Sequence, residues 1–149
     1  MQDQLEIVVY DSFTNPGELG KQSLAQFLYT HLEQYGDKLE DITTCLEYAL
    51  KERPSFGGYV FAAYMEKELV GVVVINQTGM EGYIPENILV YIATHNGYRG
   101  KGIGKKLMQK AIETTKGNIA LHVEPDNPAR LLYEKLGFTN KYLEMRLTK

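Results

Sequence analysis

At 149 residues and 44% apolar, the chain suits one compact domain with a real core, and these values argue against disorder. A net charge of −3 argues against a nucleic-acid binder, and the single cysteine, Cys45, excludes an internal disulfide and a cysteine-built zinc cage. No apolar run approaches membrane-spanning length, and the start, MQDQLEIVVYD, lacks the basic and then apolar pattern of a leader, so a cytoplasmic, non-membrane protein is expected.

Leu5 to Tyr10 is short and β-branched and predicts a strand, which Asn15-Pro16-Gly17 breaks. The spacing of Leu24, Phe27, Leu28, His31, Leu32 and Tyr35 predicts a helix ending at Gly36. Asp37, with Glu40 three residues on, predicts a capping box for a second helix with Leu39, Ile42, Cys45, Leu46 and Ala49 on its apolar face. Cys45 there reads as core filler. YVFAAYM and LVGVVVINQ flank the charged turn Glu66-Lys67-Glu68 and predict a β-hairpin. NILVYIATH predicts a further strand, and a helix follows with Ile103, Leu107 and Ala111 spaced by four. NIALHVE reads as a strand of alternating sides. DNPARLLYEKLGF reads as a helix with Asn127 as cap, Pro128 at its first position and Gly137 at its end. FTNKYLEMRLTK closes the chain as strand material. This order, early hairpins and one late strand–helix–strand crossover, predicts an α/β (α+β) mixed sheet with helices on its faces, in a single domain over residues 1–149.

The charge is uneven. Asn96 to Lys116 carries +5, which leaves −8 to the rest. Within it, NGYRGKGIGKK packs four glycines and four basic residues into eleven positions, between a strand and a helix. A loop of that kind offers unpaired backbone N–H groups at the positive end of a helix dipole, which bind phosphate. Arg99, Lys101 and Lys105 add charge at the rim. Lys106, Lys110 and Lys116 read more simply as a solvated helix face. The loop fails two common phosphate patterns. Gly104-Lys105 is followed by Lys106, where a P-loop needs Ser or Thr, and Gly100, Gly102 and Gly104 are spaced two and two, unlike the dinucleotide fingerprint.

YRGKGIGKKL instead resembles the acetyl-CoA loop of the GNAT superfamily of N-acetyltransferases, with Arg99, Gly102 and Gly104 at the fixed positions of its [QR]-x-x-G-x-[GA] pattern. NPARLLYEKLGF is similar to that family's second signature, and Gly71 sits where the family commonly has glycine in its third strand. The resemblance implies a mostly antiparallel sheet, helices on both faces and a splayed central strand pair. It implies acetyl-CoA as co-substrate, no metal, and an amine acceptor attacking directly in a ternary complex. The pyrophosphate would lie on the amides from Arg99 through Gly100, Lys101, Gly102 and Ile103 to Gly104, with Lys105 beside them. The Thr94 backbone would contact pantetheine, and the Ile92 N–H would face the thioester carbonyl as an oxyanion donor. Tyr133 would protonate the leaving thiolate, with a core role as the plain alternative. Asn127 would both cap its helix and contact CoA. The family strand usually has valine near Thr94 and often proline near Asn96.

The general base stays open among Glu86, His122, Glu124 and a water chain, because Ile88 to Tyr91 hold no carboxylate. His31 reads as structural and His95 as solvent-facing. The acceptor site would fall to Asn15–Phe56 and Gly79–Asn87. Acids such as Glu18, Glu33, Asp37, Glu40, Asp41 and Glu47 there either steer a cation or form a solvated face. Tyr59, Tyr83 and Tyr91 are wall candidates, with packing as the equal alternative. Only Thr139 to Tyr142 separate Phe138 from LEMRL, shorter than the family's last hairpin, which implies a more open acceptor site. A small amine suits the single domain; a protein N-terminus or lysine is also compatible. Readings from other classes are a non-catalytic CoA-binding sensor or regulatory module and a nucleotide-binding protein. The sequence is compatible with a monomer or a homodimer.

Overall fold

The computed structural model describes residues 4–149. Five strands form one sheet in the order β1 (Leu5–Tyr10), β2 (Gly58–Met65), β3 (Glu68–Gln77), β4 (Asn87–Thr94) and β5 (Ile119–Leu121). The first four run antiparallel, and β5 joins β4 in parallel through the crossover helix α3 (Ile103–Thr114). The other helices are α1 (Gly17–His31), α2 (Leu39–Ala49) and α4 (Ala129–Lys135), with a 3-10 turn at Glu33–Tyr35.

Alternation along β2 and β3 sorts side chains to two faces. Val60, Ala62, Val72 and Val74 pack under Leu24 and Leu28 of α1 and Ile42 and Leu46 of α2. Phe61, Ala63, Val73 and Ile75 pack under Ile103, Leu107 and Met108 of α3 and Tyr133 of α4. Both faces are covered, which explains why these strands are apolar without a break. Gly71 is required by this packing: a Cβ there would lie 2.6 Å from Leu107 Cδ1 and 3.0 Å from Ile103 Cγ2. The β2–β3 turn places Glu66 and Lys67 at φ 50° and 67°, as a tight two-residue hairpin needs.

Three expectations are corrected. The capping box at Asp37 does not form: α2 has no side-chain cap, and the Asp37 carboxylate instead accepts the Tyr91 hydroxyl. NIALHVE pairs only over Ile119–Leu121. The closing strand is absent, and Tyr142, Leu143, Met145 and Leu147 are exposed. Three paired residues of β5 are a short template, and a last strand with no neighbour beyond it buries little apolar surface there.

Candidate active site

The site begins with a slip in β4. Ile75 pairs with Leu89 and Val74 with Tyr91, so Val90 is an extra residue, a β-bulge. Leu89 therefore faces the α3 side while Tyr91 and Ala93 face the α1–α2 side, although an unbroken strand would put all three on one face. Pairing with β5 ends at the same place, at Leu89. Beyond it the two parallel strands part. His95 N–H donates to Val70 O at 2.8 Å, toward β3. N–H direction alternates along a strand, so the Thr94 and Ile92 N–H groups point the other way, into the splay. A wedge with an unpaired strand edge results, open to an extended ligand.

At the wide end of the wedge lies the glycine loop. Gly100 and Gly102 take φ of 81° and 77°, the left-handed region that only glycine enters freely. Gly102 thereby turns the chain into α3, whose N-terminus has no side-chain cap. The first hydrogen bond of that turn is Lys106 N–H to Gly102 O at 3.1 Å. From Gly100 to Lys105 the backbone N–H groups have no acceptor among the described residues. Gly104 lies close under Thr94 Oγ1 and Leu132, at 3.7 and 3.5 Å from a notional Cβ, so the loop is pressed against both β4 and α4. Lys101 sits over the Tyr98 ring, 5.3 Å from its centroid.

Arg99 has partners outside the loop. Its guanidinium turns to the end of α1, donating to His31 O at 3.1 Å and to Glu33 Oε1 at 3.3 Å. It thereby ties the loop to α1. His95 is not merely solvent-facing, since its ring stacks on His31 at 4.4 Å.

On the far wall α4 presents Tyr133. Asn127 Oδ1 accepts Ala129 N–H at 2.9 Å, which fixes the helix start. The Tyr133 ring is buried against Phe138 at 5.9 Å. Its hydroxyl has no protein hydrogen-bond partner among the described residues, and burial pushes its pKa up to about 12. A phenol held protonated, without a partner, can donate a proton.

The three base candidates fall in different settings. Glu86 Oε1 accepts Asn118 N–H at 2.7 Å and Oε2 accepts Gly82 N–H at 3.2 Å. These backbone donors, Asn118 first, hold its carboxyl below the usual range, so it works as a loop clamp and is a weak base. His122 and Glu124 are exposed beyond the end of β5, on the arm opposite Ile92, with His122 Nδ1 3.8 Å from Glu144. Among the described residues no group of His, Cys, Asp and Glu could hold a metal ion. No described helix is long and apolar enough to cross a membrane.

Two contacts escaped the sequence reading. Tyr91 reaches from β4 to Asp37, and the Tyr35 hydroxyl donates to Asp126 O at 3.3 Å. The α1–α2 connection thus touches both arms of the wedge. The only sequence signal was a tyrosine inside a buried strand, whose hydroxyl must find a partner.

An unpaired strand edge, a bulge and a glycine loop opening a helix together define a mixed α/β fold with a wedge suited to an extended, phosphate-bearing ligand. The model of the acetyltransferase (GNAT) domain matches residues 56–140, and the chain belongs to that family. It is 33% identical over 84 residues to the 5-NmdU N-acetyltransferase of Pseudomonas phage PaMx11, covering 55% of this chain and 58% of that protein. It is 31% identical over 96 residues to N-alpha-acetyltransferase 30 of Schizosaccharomyces pombe, covering 61% of this chain and 62% of that one. The chain thus spans about three fifths of the length of these curated relatives. Among solved structures it is similar to aminoglycoside N-acetyltransferase AAC(6')-Iy in complex with CoA, at a TM-score of 0.71 and 13% identity over 100% of this chain and 97% of that one. It is also similar to a ribosomal-protein-alanine N-acetyltransferase from Brucella melitensis biovar Abortus 2308, at a TM-score of 0.66 and 19% identity over 98% of this chain and 100% of that one. At these identities the likeness to both structures is one of fold.

Proposed function

We propose that the chain transfers an acetyl group from acetyl-CoA to a primary amine by direct attack in a ternary complex. The observation that carries this reading is the run of acceptor-free amides from Gly100 to Lys105, opening beside the unpaired edge of β4. Those amides suit a pyrophosphate, with Lys101 and Lys105 beside them. The free Thr94 edge suits the peptide-like pantetheine arm. Acetyl-CoA supplies an activated thioester and a thiolate leaving group.

The chain's own groups then have distinct tasks. The Ile92 N–H stabilises charge developing on the thioester oxygen. Tyr133 donates its phenolic proton to the departing sulfur. The attacking ammonium must first lose a proton. Exposed His122 and Glu124, on the opposite arm, are better placed to relay it through water than Glu86, whose oxygens are engaged. A small amine is favoured as acceptor. The α1–α2 connection touches both arms of the wedge through Tyr35 and Tyr91, which narrows the approach.

Calorimetry with acetyl-CoA, ATP and NAD, followed by thiol-release assays over an amine panel, tests this reading. The expectation is micromolar binding of acetyl-CoA alone. Tyr133→Phe should keep that affinity and lose about a hundredfold in kcat. No acetyl-CoA binding by the folded protein would overturn the cofactor assignment. Binding without turnover on any amine would favour a CoA-binding regulatory module. Wild-type kcat in Tyr133→Phe would remove Tyr133 from the chemistry.

A further inference from the structure

The entry to the glycine loop hangs on two imidazoles. His31, the last residue of α1, accepts Asn96 N–H on Nδ1 at 3.3 Å. His95 accepts Gly97 N–H on Nδ1 at 3.0 Å. The rings stack on each other at 4.4 Å, and Phe27 lies 4.5 Å from His31 and 6.4 Å from His95. The next residues of the chain are the loop itself, with Arg99 tied to the carbonyl of His31.

An imidazole can accept on Nδ1 only when its proton sits on Nε2 and the ring is neutral. The surroundings agree. Glu68 Oε2 lies 3.8 Å from His95 Nε2 and favours a proton on that nitrogen, while Glu68 Oε1 takes the Tyr98 hydroxyl at 2.7 Å. Around His31 stand His95, Arg99 and Glu33, the last anchoring Arg99. Protonating the His31 ring puts a hydrogen on Nδ1, directly opposite a backbone N–H. Two donors then face each other, and a cationic ring stands near the Arg99 guanidinium.

We infer that His31 and His95 are positioning residues that hold the mouth of the cofactor loop in its binding form through their Nδ1 acceptors, and that protonation of His31 releases it. Burial first, then His95 and Arg99, lower the His31 pKa, with Glu33 opposing them. A lowered folded-state pKa fixes the sign. The His31 contribution to the folded loop is full above the ordinary histidine value of about 6.5 and is lost as pH falls through the lower folded value.

The binding part of the test rests on the acetyl-CoA reading; the loop part does not. In the full chain without ligand, the amide resonance of Asn96 should shift together with the His31 imidazole between pH 8 and 5. CoA affinity by calorimetry should fall about fivefold over the same range, the worth of one ordinary hydrogen bond. His31→Asn and His95→Asn place an amide oxygen near the lost Nδ1 and take up no proton. Both should bind CoA at pH 8, and His31→Asn should flatten the acid loss, whereas His31→Leu should bind weakly throughout. An Asn96 amide that stays still while the His31 imidazole titrates would overturn the inference. So would an affinity that holds or rises on acidification, or a His31→Asn variant with the wild-type pH profile. If CoA fails to bind at every pH the cofactor assignment falls, and the wild-type amide shifts still decide the loop; they also decide it should a variant not fold.

Discussion

The glycine loop and the α1–α2 layer are built from different materials. The loop side is backbone. Its amides from Gly100 to Lys105 lack acceptors, and two of its glycines hold left-handed conformations. The α1–α2 side is a closed set of side chains. Lys21, only 6% exposed, reaches Glu52 at 2.9 Å and Glu18 and Glu47 at 3.2 Å each. Arg53 takes the other oxygen of Glu47 at 3.0 Å, and Asn15 donates to Glu52 at 3.2 Å. Acids that seemed available to steer an amine, Glu18 and Glu47 among them, are spent on a lysine. Unpaired donors mark the surface that awaits a ligand, and paired ones mark its scaffold.

If this contrast is right, damage to the two sides should separate cleanly. The largest effect is expected from Gly102→Val. A β-branched residue at φ 77° is strained, and its side chain would stand at the mouth of α3. Acetyl-CoA affinity should drop by about 2–3 kcal/mol, thirtyfold or more, by calorimetry. Denaturant stability should change less than binding does. Lys21→Met should do the reverse. It strands carboxylates that are about a quarter to a third exposed (Glu47 and Glu52, side chains 26% and 30%), so the cost is below that of a fully buried pair. About 2 kcal/mol of stability should be lost in urea titration, with CoA affinity within about twofold of wild type. The lysine also predicts an acid limit. Lys21 first, then Arg53, holds the Glu47 carboxyl below its usual range. Its contribution is present above the ordinary value of about 4.5 and is lost as pH falls through the lower folded value. Lys21→Met should flatten that acid loss. A Lys21→Met protein that lost CoA binding while folded would break the contrast.

The same division explains what could be read from the chain. Glycines announce backbone geometry, because few other residues take positive φ. Gly100 and Gly102 therefore mark the loop in the sequence itself, whereas the close approach of α3 to Gly71 is visible only in the fold. Unbroken apolar runs about a charged turn predict β2 and β3. What stayed hidden depends on contacts distant in sequence. Arg99 is tied to Glu33 and His31, which lie 66 and 68 residues away. Asp37 looked like a helix cap, yet its partner is 54 residues on. The bulge at Val90 leaves no composition mark, since a strand buried on both faces reads the same in either register. The closing segment misled in the opposite way. LEMRL alternates as a strand should, but pairing needs a neighbour, and local pattern does not supply one.

The smallest effect, and the sharpest, belongs to Tyr91→Phe. Tyr91 is buried directly after the bulge, and its hydroxyl crosses to Asp37 on the α1–α2 connection. Burial first, then Asp37, raises the Tyr91 pKa, so the hydroxyl keeps its proton and remains a donor through the neutral range. A hydrogen bond to a carboxylate is worth about 1.5–3 kcal/mol when both partners are enclosed. Asp37 is exposed and water can replace the lost donor, so about 1 kcal/mol is the expected loss in stability. The ring stays, so the strand and its open edge stay. CoA affinity and kcat should hold, while KM for the amine rises about two- to threefold as the connection loosens from β4. A change confined to KM would place the α1–α2 connection in acceptor binding. A change confined to kcat would instead mean that the Tyr91–Asp37 contact sets the bulge and the Ile92 N–H beside it, joining the two sides into one device.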